Sequence, residues 1–422
     1  MILTRVRTRT EHTLQIFFTK PWICHRNSLF LIESIDFVSL FSYTVCMKNI
    51  SRSYNITEKV EPGKVLVIYG PRRVGKTTLV QSYTQTLDIP VLNLTGDDIF
   101  ARNMLSSESL ETISNAIAGY SLIVVDEAQQ IPNIGIGLKL IVDHHPRVTI
   151  IATGSSSFDL ANKIGEPLVG RKNTLTLYPV SVYELLANFP RSEVSRMRGS
   201  LLVTGAYPSI LTETDSWKRE ARLREQVSSY LLKDLLSLEQ IRSPQKLVDL
   251  LRLLAYQIGQ PVSLNSLANE LDLDIKTVAR YLDLLEKTFV IFRIQAYSRN
   301  IGNTIKQKCK YFFWDLGVRN TLINNFSPLL ERNDIGALWE NFCFIERIKR
   351  NTYIGDRTPN YYFYQSYTGL EIDIIEEYNG YTAFECKWKQ VKAHTPIEWQ
   401  KSYPDSPLTV IHQENFLDIL GK

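Results

Sequence analysis

The residues from Gly70 to Thr77 have the types and spacing that hold a nucleotide phosphate, G-x-x-x-x-G-K-[ST]. Gly70 and Gly75 let the backbone wrap closely around an anion, because a Cβ would block that approach. Lys76 supplies a positive charge for the β- and γ-phosphates, and the Thr77 hydroxyl is a ligand for Mg²⁺. We therefore predict a binding site for ATP and Mg²⁺. The predicted nucleotide-binding residues are Gly70, Pro71, Arg72, Arg73, Val74, Gly75, Lys76, Thr77 and Thr78.

Two acids, Asp126 and Glu127, follow the apolar run of residues 122–125. An Asp at the end of a strand suits Mg²⁺, usually through water, and the next Glu can polarise a water that attacks the γ-phosphate. The alternative is an ordinary buried strand that ends in an acidic turn. The phosphate-loop pattern upstream favours the catalytic interpretation.

A third apolar run, residues 148–152, ends in Thr153-Gly154-Ser155-Ser156-Ser157. In doubly wound sheets the ligand lies at the carboxyl ends of the strands, so we predict that Ser155 or Ser156 contacts the γ-phosphate or the attacking water. Arg171 follows a glycine and is a candidate to stabilise phosphoryl charge, in its own or a neighbouring subunit. A surface arginine in a turn explains its position equally well.

Another group of candidate residues lies near the carboxyl terminus. Asp373 and the pair Glu385 and Lys387 fall on two alternating runs separated by the turn Asn379-Gly380, which predicts a β-hairpin. On one rim of such a hairpin, two carboxylates could hold Mg²⁺ while the lysine orients a water, as in metal-dependent DNA cleavage. Acids and lysines are also common on hairpins that have no such function.

The elements that must position the first group of residues follow a βαβ pattern. Apolar runs at residues 65–69, 90–94, 122–125 and 148–152 alternate with helix-like segments, which predicts an α/β fold with a parallel central sheet. From residue 244 the pattern changes to three helices, at 244–259, 263–271 and 275–289, followed by a strand at 290–294. Helix, short turn, helix and strand is the pattern of a winged helix.

The would-be recognition helix of this module is mixed in charge. It carries Lys276, Arg280 and Lys287, but also Asp283 and Glu286. A surface that reads DNA is more uniformly basic, so packing of the module against the preceding domain is the alternative to DNA binding. We predict four segments: an N-terminal extension at 1–46, a P-loop ATPase domain at 47–190, a helical and winged-helix region at 191–300, and a C-terminal domain at 301–422.

Composition sets wide limits. Of the 422 residues 44% are hydrophobic and 22% charged, as in an ordinary soluble protein, and the net charge of +4 does not by itself indicate nucleic acid. Five scattered cysteines without a C-x-x-C pair indicate a reducing, cytoplasmic compartment and argue against a structural zinc site.

The first 46 residues differ from the rest. The segment begins basic and acid-poor, like a transit peptide, and continues as a mostly apolar stretch. Glu33 and Asp36 interrupt that stretch and make a membrane span costly, so we expect no membrane anchor. Met47 is a plausible second start, because the organised sequence begins just after it.

The ordered set GPRRVGKTT, VVDEAQ, ATGSSS, GR and YPVSVYELL, with EIDII and ECK near the end, resembles the prokaryotic AAA-type ATPases that carry a C-terminal domain of unknown function. The resemblance covers about residues 47–392. It implies a P-loop fold of the ASCE type, a winged helix and a C-terminal domain like the restriction endonucleases. The implied roles fall on Lys76, Thr77, Asp126, Glu127, Ser155 or Ser156, and Arg171, and a nuclease-like motif falls on Glu340, Asp373, Glu385 and Lys387.

The chain departs from this family in two places. Where the family often has a strand ending in Asp after the phosphate-loop helix, this chain has Asn93-Leu94-Thr95-Gly96-Asp97, so no role is carried over to Asp97. The first 46 residues match nothing in the family.

Together these features predict an enzyme that hydrolyses ATP with Mg²⁺, acting with DNA as a possible partner and as a possible homo-oligomer. Two alternatives remain open at this stage. One is a conformational switch that binds ATP with negligible turnover, and the other is an ATP-gated, Mg²⁺-dependent DNA nuclease.

Overall fold

The computed structural model describes residues 50–155, 167–231, 241, 243–297, 308–355, 358–365, 370–392 and 395–421. These residues belong to one unit, Cys46–Lys422. The predicted N-terminal extension, residues 1–46, therefore lies outside the described residues.

The N-terminal half is built on a five-stranded sheet in the order β2-β3-β4-β1-β5. Every pairing in it is parallel, as the sequence predicts for a doubly wound fold. Its strands are β1 (Val65–Tyr69), β2 (Val91–Thr95), β3 (Leu122–Asp126), β4 (Thr149–Gly154) and β5 (Lys172–Thr176).

Helices connect these strands. Before the sheet lies α1 (Ile56–Lys59), after β1 comes α2 (Lys76–Thr84), and between β2 and β3 lie α3 (Ile99–Leu105) and α4 (Leu110–Ile117). After β3 the chain forms a short 3-10 turn at Ala128–Gln130 and then α5 (Ile134–His144).

The middle of the chain is helical among the described residues. Its helices are α6 (Val182–Asn188), α7 (Arg191–Thr204), α8 (Pro208–Leu211), α9 (Ser216–Glu225), α10 (Pro244–Tyr256), α11 (Leu264–Leu271) and α12 (Ile275–Lys287). The side chain of Ser263 accepts a hydrogen bond from the N–H of Ser266 and so caps α11. The predicted succession of three helices and a strand is confirmed.

The C-terminal half contains a six-stranded mixed sheet in the order β11-β10-β9-β8-β6-β7. Its strands are β6 (Ile291–Ala296), β7 (Cys309–Phe313), β8 (Asn360–Gln365), β9 (Glu371–Glu377), β10 (Tyr381–Cys386) and β11 (Leu408–Ile411). Its helices are α13 (Leu316–Leu322), α14 (Ile335–Gly355), α15 (Ile397–Ser402) and α16 (Phe416–Leu420).

The strand that follows α12, the helix predicted as a recognition helix, belongs to this second sheet. Strand β6 pairs with β7 on one side and with β8 on the other. A domain boundary at residue 300 would therefore divide a hydrogen-bonded sheet, so the predicted division at that point does not follow the structure.

The two halves share one hydrophobic core. Alternate residues of β1 face opposite sides of the sheet: Val65 and Val67 pack with α3, α4 and α5, whereas Leu66 and Ile68 join a core that continues through the helices into the C-terminal sheet. None of the helices in the described part of the chain combines the length and apolar character that a membrane crossing requires.

Candidate functional site

The phosphate loop leaves the carboxyl end of β1, as the sequence predicts. Gly70 has a φ of 150°, and a Cβ there would lie 2.1 Å from the carbonyl oxygen of Leu177. Gly75 is the N-cap of α2 with a φ of 96°, a conformation that strains any other residue. Both glycines are thus required by the backbone of the loop, and α2 begins with its N-terminus at the site.

Lys76 is the buried cation of the loop. Its side chain is only 5% exposed, and Nζ donates hydrogen bonds to the carbonyl oxygens of Gly70 (2.8 Å) and Pro71 (3.0 Å). A third loop carbonyl, that of Val74, accepts a hydrogen bond from Nη1 of Arg52 at 2.6 Å. Two cationic side chains therefore bind the carbonyl oxygens of the loop.

The remaining predicted loop residues line the loop in different ways. Pro71 and Val74 are buried and Arg72 is half-buried, whereas Thr78 is exposed. Arg73 is exposed as well, and its guanidinium lies 3.3 Å from the carboxylate of Glu225 at the end of α9.

Asp126 ends β3 beside this loop and is bound by two hydroxyl groups. Thr77 Oγ1 donates to Asp126 Oδ2 at 2.9 Å, and Thr153 at the end of β4 donates to Oδ1 through its own hydroxyl. The parallel order β3-β4-β1 brings these three strand ends together. A carboxylate and a hydroxyl are the oxygen ligands that Mg²⁺ prefers, so Asp126 and Thr77 suit a metal bound with a nucleotide.

Glu127 lies at the next position, in a strained backbone conformation with a φ of 48°. Its N–H donates to Thr153 Oγ1 at 3.3 Å. The side-chain amide of Gln129 donates to the Glu127 carboxylate and also, at 3.0 Å, to Ser155 Oγ. Gln129 thereby links Glu127, predicted to polarise the attacking water, to Ser155, predicted to contact that water or the γ-phosphate, and it is only 5% exposed.

A cavity of about 560 Å³ opens beside these groups. It starts at the oxygens of Thr77, Asp126 and Thr153 and runs between α2 and the edge strand β2. The cavity includes Thr77 and Asp126, the two residues predicted to bind Mg²⁺. It therefore lies at the carboxyl edge of the sheet, where doubly wound folds bind their ligands. Its other lining residues are Val80, Gln81, Thr84, Gln85, Asn93, Leu94, Thr95 and Val124.

Two further predictions concern Ser156 and Arg171. Ser156 lies outside the described residues. Arg171 immediately precedes β5, where its carbonyl oxygen accepts the N–H of Val65, so it lies at the amino edge of the sheet. The five-residue length of β1 separates that edge from the phosphate loop by about 16 Å.

The structure therefore does not bring Arg171 to the phosphate site of its own chain. Its guanidinium Nε lies 2.7 Å from Asp143 Oδ1, and both side chains are partly exposed. A role for Arg171 at the site of a neighbouring subunit stays a prediction.

Sequence reasoning missed Arg52, which connects the phosphate loop to the C-terminal half. Besides the Val74 carbonyl, its guanidinium binds the Tyr178 carbonyl (2.7 Å), the carboxylate of Glu184 (2.7 Å) and the hydroxyl of Tyr353 on α14 (3.2 Å). These partners lie 22 to 301 positions away in the chain, so no local pattern could have revealed the contact. Thr153 and Gln129 were better signalled, since both adjoin predicted site residues.

The C-terminal candidates are arranged differently from the prediction. The hairpin exists, with β9 and β10 antiparallel and Ile374 opposite Phe384. However, β8 advances two residues from Tyr362 to Tyr364 while β9 advances three, from Ile375 to Ile372, so β9 contains a bulge at Asp373. Asp373 is buried, like its neighbours on both faces of β9, and its Oδ2 accepts the N–H of Cys386 at 2.7 Å instead of lying on an exposed rim.

The other candidate acids already bind lysines. Glu340 Oε1 lies 2.9 Å from Nζ of Lys310, a residue of β7, and Glu385 Oε1 lies 3.1 Å from Nζ of Lys387. Burial raises the pKa of Glu340 to about 7; Lys310 opposes this shift, and Asp373 adds to it. Among the described residues no group of three His, Cys, Asp or Glu side chains is placed to share one metal ion. The predicted set Glu340, Asp373 and Glu385 does not converge in this structure.

Three family matches divide the chain. Residues 62–186 match a family described as an AAA domain. Residues 198–329 match a domain of unknown function (DUF8612), and residues 335–416 match a second domain of unknown function (DUF4143). The last two matches meet near residue 330, so β6 and β7 fall within the first of them, whereas β8, which pairs with β6 in the same sheet, falls within the second.

Several proteins are similar over most of the chain. An uncharacterized protein of Mycobacterium tuberculosis is 29% identical over 322 residues, which cover 75% of this chain and 68% of that protein. An uncharacterized protein of Methanocaldococcus jannaschii is 23% identical over 347 residues, covering 78% of this chain and 75% of the other. Among solved structures, the AAA domain of FIGL-1 in complex with ADP covers 47% of this chain and 76% of that one, at 13% identity and a TM-score of 0.27.

Proposed function

We propose that this chain, whose residues 62–186 are similar to an AAA domain, binds ATP with Mg²⁺ and hydrolyses it to ADP and phosphate. The observation that supports the proposal best is the meeting of Thr77, Asp126 and Thr153 beside the buried Lys76. A phosphate loop with a buried ammonium, next to an oxygen-rich metal position, supplies the charges that phosphoryl transfer requires.

Each residue has a defined part in the proposed mechanism. Lys76 exchanges its two carbonyl partners for the β- and γ-phosphate oxygens, while Thr77 and Asp126 would hold Mg²⁺. When bound, Mg²⁺ neutralises part of the phosphate charge. Glu127 accepts the proton of the attacking water, and Ser155 contacts the γ-phosphate or that water. Gln129 orients the Glu127 carboxylate through the hydrogen bond that links the two residues.

The first test compares ATP binding and phosphate release in the wild type and Lys76→Ala, each with and without duplex DNA. We expect the wild type to release phosphate and Lys76→Ala to lose both binding and release, because the loop then lacks its charge for the phosphates. Phosphate release by folded Lys76→Ala at the wild-type rate would refute the proposed site. A several-fold increase with DNA would identify nucleic acid as a partner.

A conformational switch is the main alternative. It predicts tight ATP binding with almost no phosphate release by the wild type, whether or not DNA is present. The strained backbone at Glu127 and its contact with Gln129 favour the hydrolytic interpretation, because they hold a carboxylate next to the metal position.

The proposal that DNA is a partner rests on the three helices that precede β6, α10 to α12. In α12, Lys287 pairs with Asp283 at 2.7 Å, and Arg293 on β6 lies 3.4 Å from Glu286, so part of the basic charge is neutralised within the module. If this winged-helix-like region binds DNA, affinity should fall steeply with salt, since phosphate contacts release counterions. Binding that is independent of salt would exclude such contacts.

Assembly is proposed because Arg171 lies far from its own phosphate loop. An arginine supplied to a neighbouring subunit predicts that Arg171→Ala and Glu127→Gln, each inactive alone, regain phosphate release when mixed. Arg191→Ala, which removes another exposed arginine paired to an acid (Asp418), is the matched control and should remain active. Failure of the mixture to recover, together with a monomer in light scattering of ATP-loaded Glu127→Gln, would rule out the trans role.

An ATP-gated nuclease would require Glu340, Asp373 and Glu385 to share a metal ion. The ion pairs of Glu340 and Glu385 and the hydrogen bond of Asp373 already engage these carboxylates. DNA cleavage is therefore not part of the proposed function.

A further inference from the structure

A buried lysine lies among the C-terminal acids. Nζ of Lys310, on β7, is 2.9 Å from Glu340 Oε1 on α14 and 4.0 Å from Glu371 Oε2 on β9. We call Lys310, Glu340, Glu371 and Asp373 the C-terminal cluster. It contains three acids from two elements and one cation from a third.

The ammonium of Lys310 is enclosed by protein. Its side chain is 2% exposed, and Nζ lies 5.1 Å from the centroid of the Phe363 ring. Burying an ammonium is costly, and the contacts with the carboxylates of Glu340 and Glu371 offset that cost. The ammonium is thus held as a charged group inside the protein.

The other carboxylates of this region are also engaged. Asp373 Oδ2 accepts the N–H of Cys386 at 2.7 Å. Glu385 pairs with Lys387. An incoming divalent cation would have to displace these donors and would meet the like charge of Lys310 in a site with little water to screen it.

We propose that Lys310 is the resident cation of the C-terminal cluster and that it excludes a divalent metal ion. The ammonium supplies the positive charge and the contacts with carboxylates that a metal ion would otherwise supply. The C-terminal domain then works without Mg²⁺ or Mn²⁺ and does not cleave phosphodiester bonds, in contrast to what its resemblance to restriction endonucleases implies. In the full chain this domain then has a structural function or binds a partner.

The test measures Mn²⁺ binding by electron paramagnetic resonance, without nucleotide. The full-length chain carries Asp126→Asn, so that the N-terminal site does not contribute a Mn²⁺ ion. We expect this parent protein to bind no Mn²⁺ at roughly millimolar concentration, the range of weak protein sites. Adding Lys310→Met keeps the side-chain volume but removes the charge. Glu340, Glu371 and Asp373, which are not placed around an ion while Lys310 is present, should then close on one Mn²⁺ ion, and Glu340→Gln should remove this site again.

Three results would overturn the proposal. The first is a Mn²⁺ site in the parent protein that Glu340→Gln removes. The second is Mn²⁺-dependent nicking of plasmid DNA that Asp373→Asn abolishes. The third is a folded Lys310→Met protein that gains no Mn²⁺ site, because Lys310 would then not be what excludes the ion. Thermal unfolding checks the fold of each variant. If Lys310→Met does not fold, Lys310→Gln replaces it, and the parent protein alone still decides whether a metal site exists.

Discussion

Two groups of acids in this chain have opposite kinds of partners. Asp126 is bound by the hydroxyls of Thr77 and Thr153, and Glu127 by the amide of Gln129, all uncharged groups. Glu340, in contrast, is bound by the ammonium of Lys310. Uncharged dipoles hold a carboxylate in position and leave its charge available to an incoming cation, whereas a lysine already neutralises it.

The two groups also differ in their backbone surroundings and in the space beside them. The first group lies at the carboxyl ends of parallel strands, beside a cavity of about 560 Å³. In the second, Asp373 lies on a strand that is buried on both faces, beside a β-bulge, and binds the buried N–H of Cys386. We therefore expect acidic residues in a strand-rich domain to bind a metal ion only where their partners and the space around them allow it.

The largest difference is expected from matched Asp→Asn substitutions. Asp126→Asn should lower phosphate release by about 100- to 1000-fold, because the carboxylate that would hold Mg²⁺ loses its charge. Asp373→Asn should change phosphate release by less than about twofold, since the amide oxygen can still accept the Cys386 N–H. Steady-state phosphate release at saturating Mg²⁺ measures both, and equal losses in the two variants would show that the sites are not independent.

The next largest effect concerns stability. In Arg52→Ala the carboxylate of Glu184, which is 0% exposed, loses its buried guanidinium partner. The free energy of unfolding should fall by about 3–5 kcal/mol, the usual cost of breaking a buried ion pair.

Arg191→Ala is the control for Arg52→Ala. It breaks the ion pair with Asp418, in which both side chains are about half exposed. The free energy of unfolding should therefore fall by at most about 1 kcal/mol. Urea unfolding measures the free energy of unfolding of the two variants. An Arg52→Ala protein as stable as Arg191→Ala would mean that the contact between the phosphate loop and α14 carries little energy.

A smaller effect is expected from Gln129→Ala. Without the amide, Glu127 and Ser155 lose the group that bridges them, so kcat should fall about tenfold while KM for ATP stays nearly constant. The exposed neighbour Gln130 provides the control, and Gln130→Ala should leave both constants unchanged. A rise in KM without a change in kcat would place Gln129 in nucleotide binding instead of in orientation of the base.

The smallest effect is a pH dependence in the C-terminal cluster. Because burial raises the pKa of Glu340 from 4.5 to about 7, despite Lys310, the folded state binds more protons than the unfolded state between these values. The contribution of Glu340 to the free energy of unfolding therefore decreases as the pH rises through this window. Asp373 and Glu371 also face it and add to the shift.

Glu340→Gln tests this dependence. The substitution removes the titrating proton, so the difference in stability between wild type and variant should change from about pH 5 to about pH 7. Urea unfolding across this range measures it. A difference that is constant over the range would show that Glu340 keeps an ordinary pKa.

The sequence predicted the elements that carry the first group because their signals are local. The strand, glycine loop and helix around Lys76 follow each other directly, and each predicted parallel strand appears within one or two residues of its expected bounds. Strand β5 was not predicted, because Lys172–Thr176 is a short, half-polar edge strand without an apolar run.

The sequence was insufficient for the second group because its contacts are distant. The pair Lys310 and Glu340 joins a strand to a helix, and the bulge at Asp373 depends on the register against β8. Neither leaves a period or a motif in the chain. Arg52 was missed for the same reason, since its partners come from three other elements.

The most direct test of hydrolysis at the phosphate loop is ATP binding and phosphate release by Glu127→Gln beside the wild type. The account predicts that the variant retains ATP, because Lys76, Thr77 and Asp126 are intact, and that phosphate release falls by at least about 100-fold, the contribution of a general base. Phosphate release at the wild-type rate by a folded Glu127→Gln protein would contradict it.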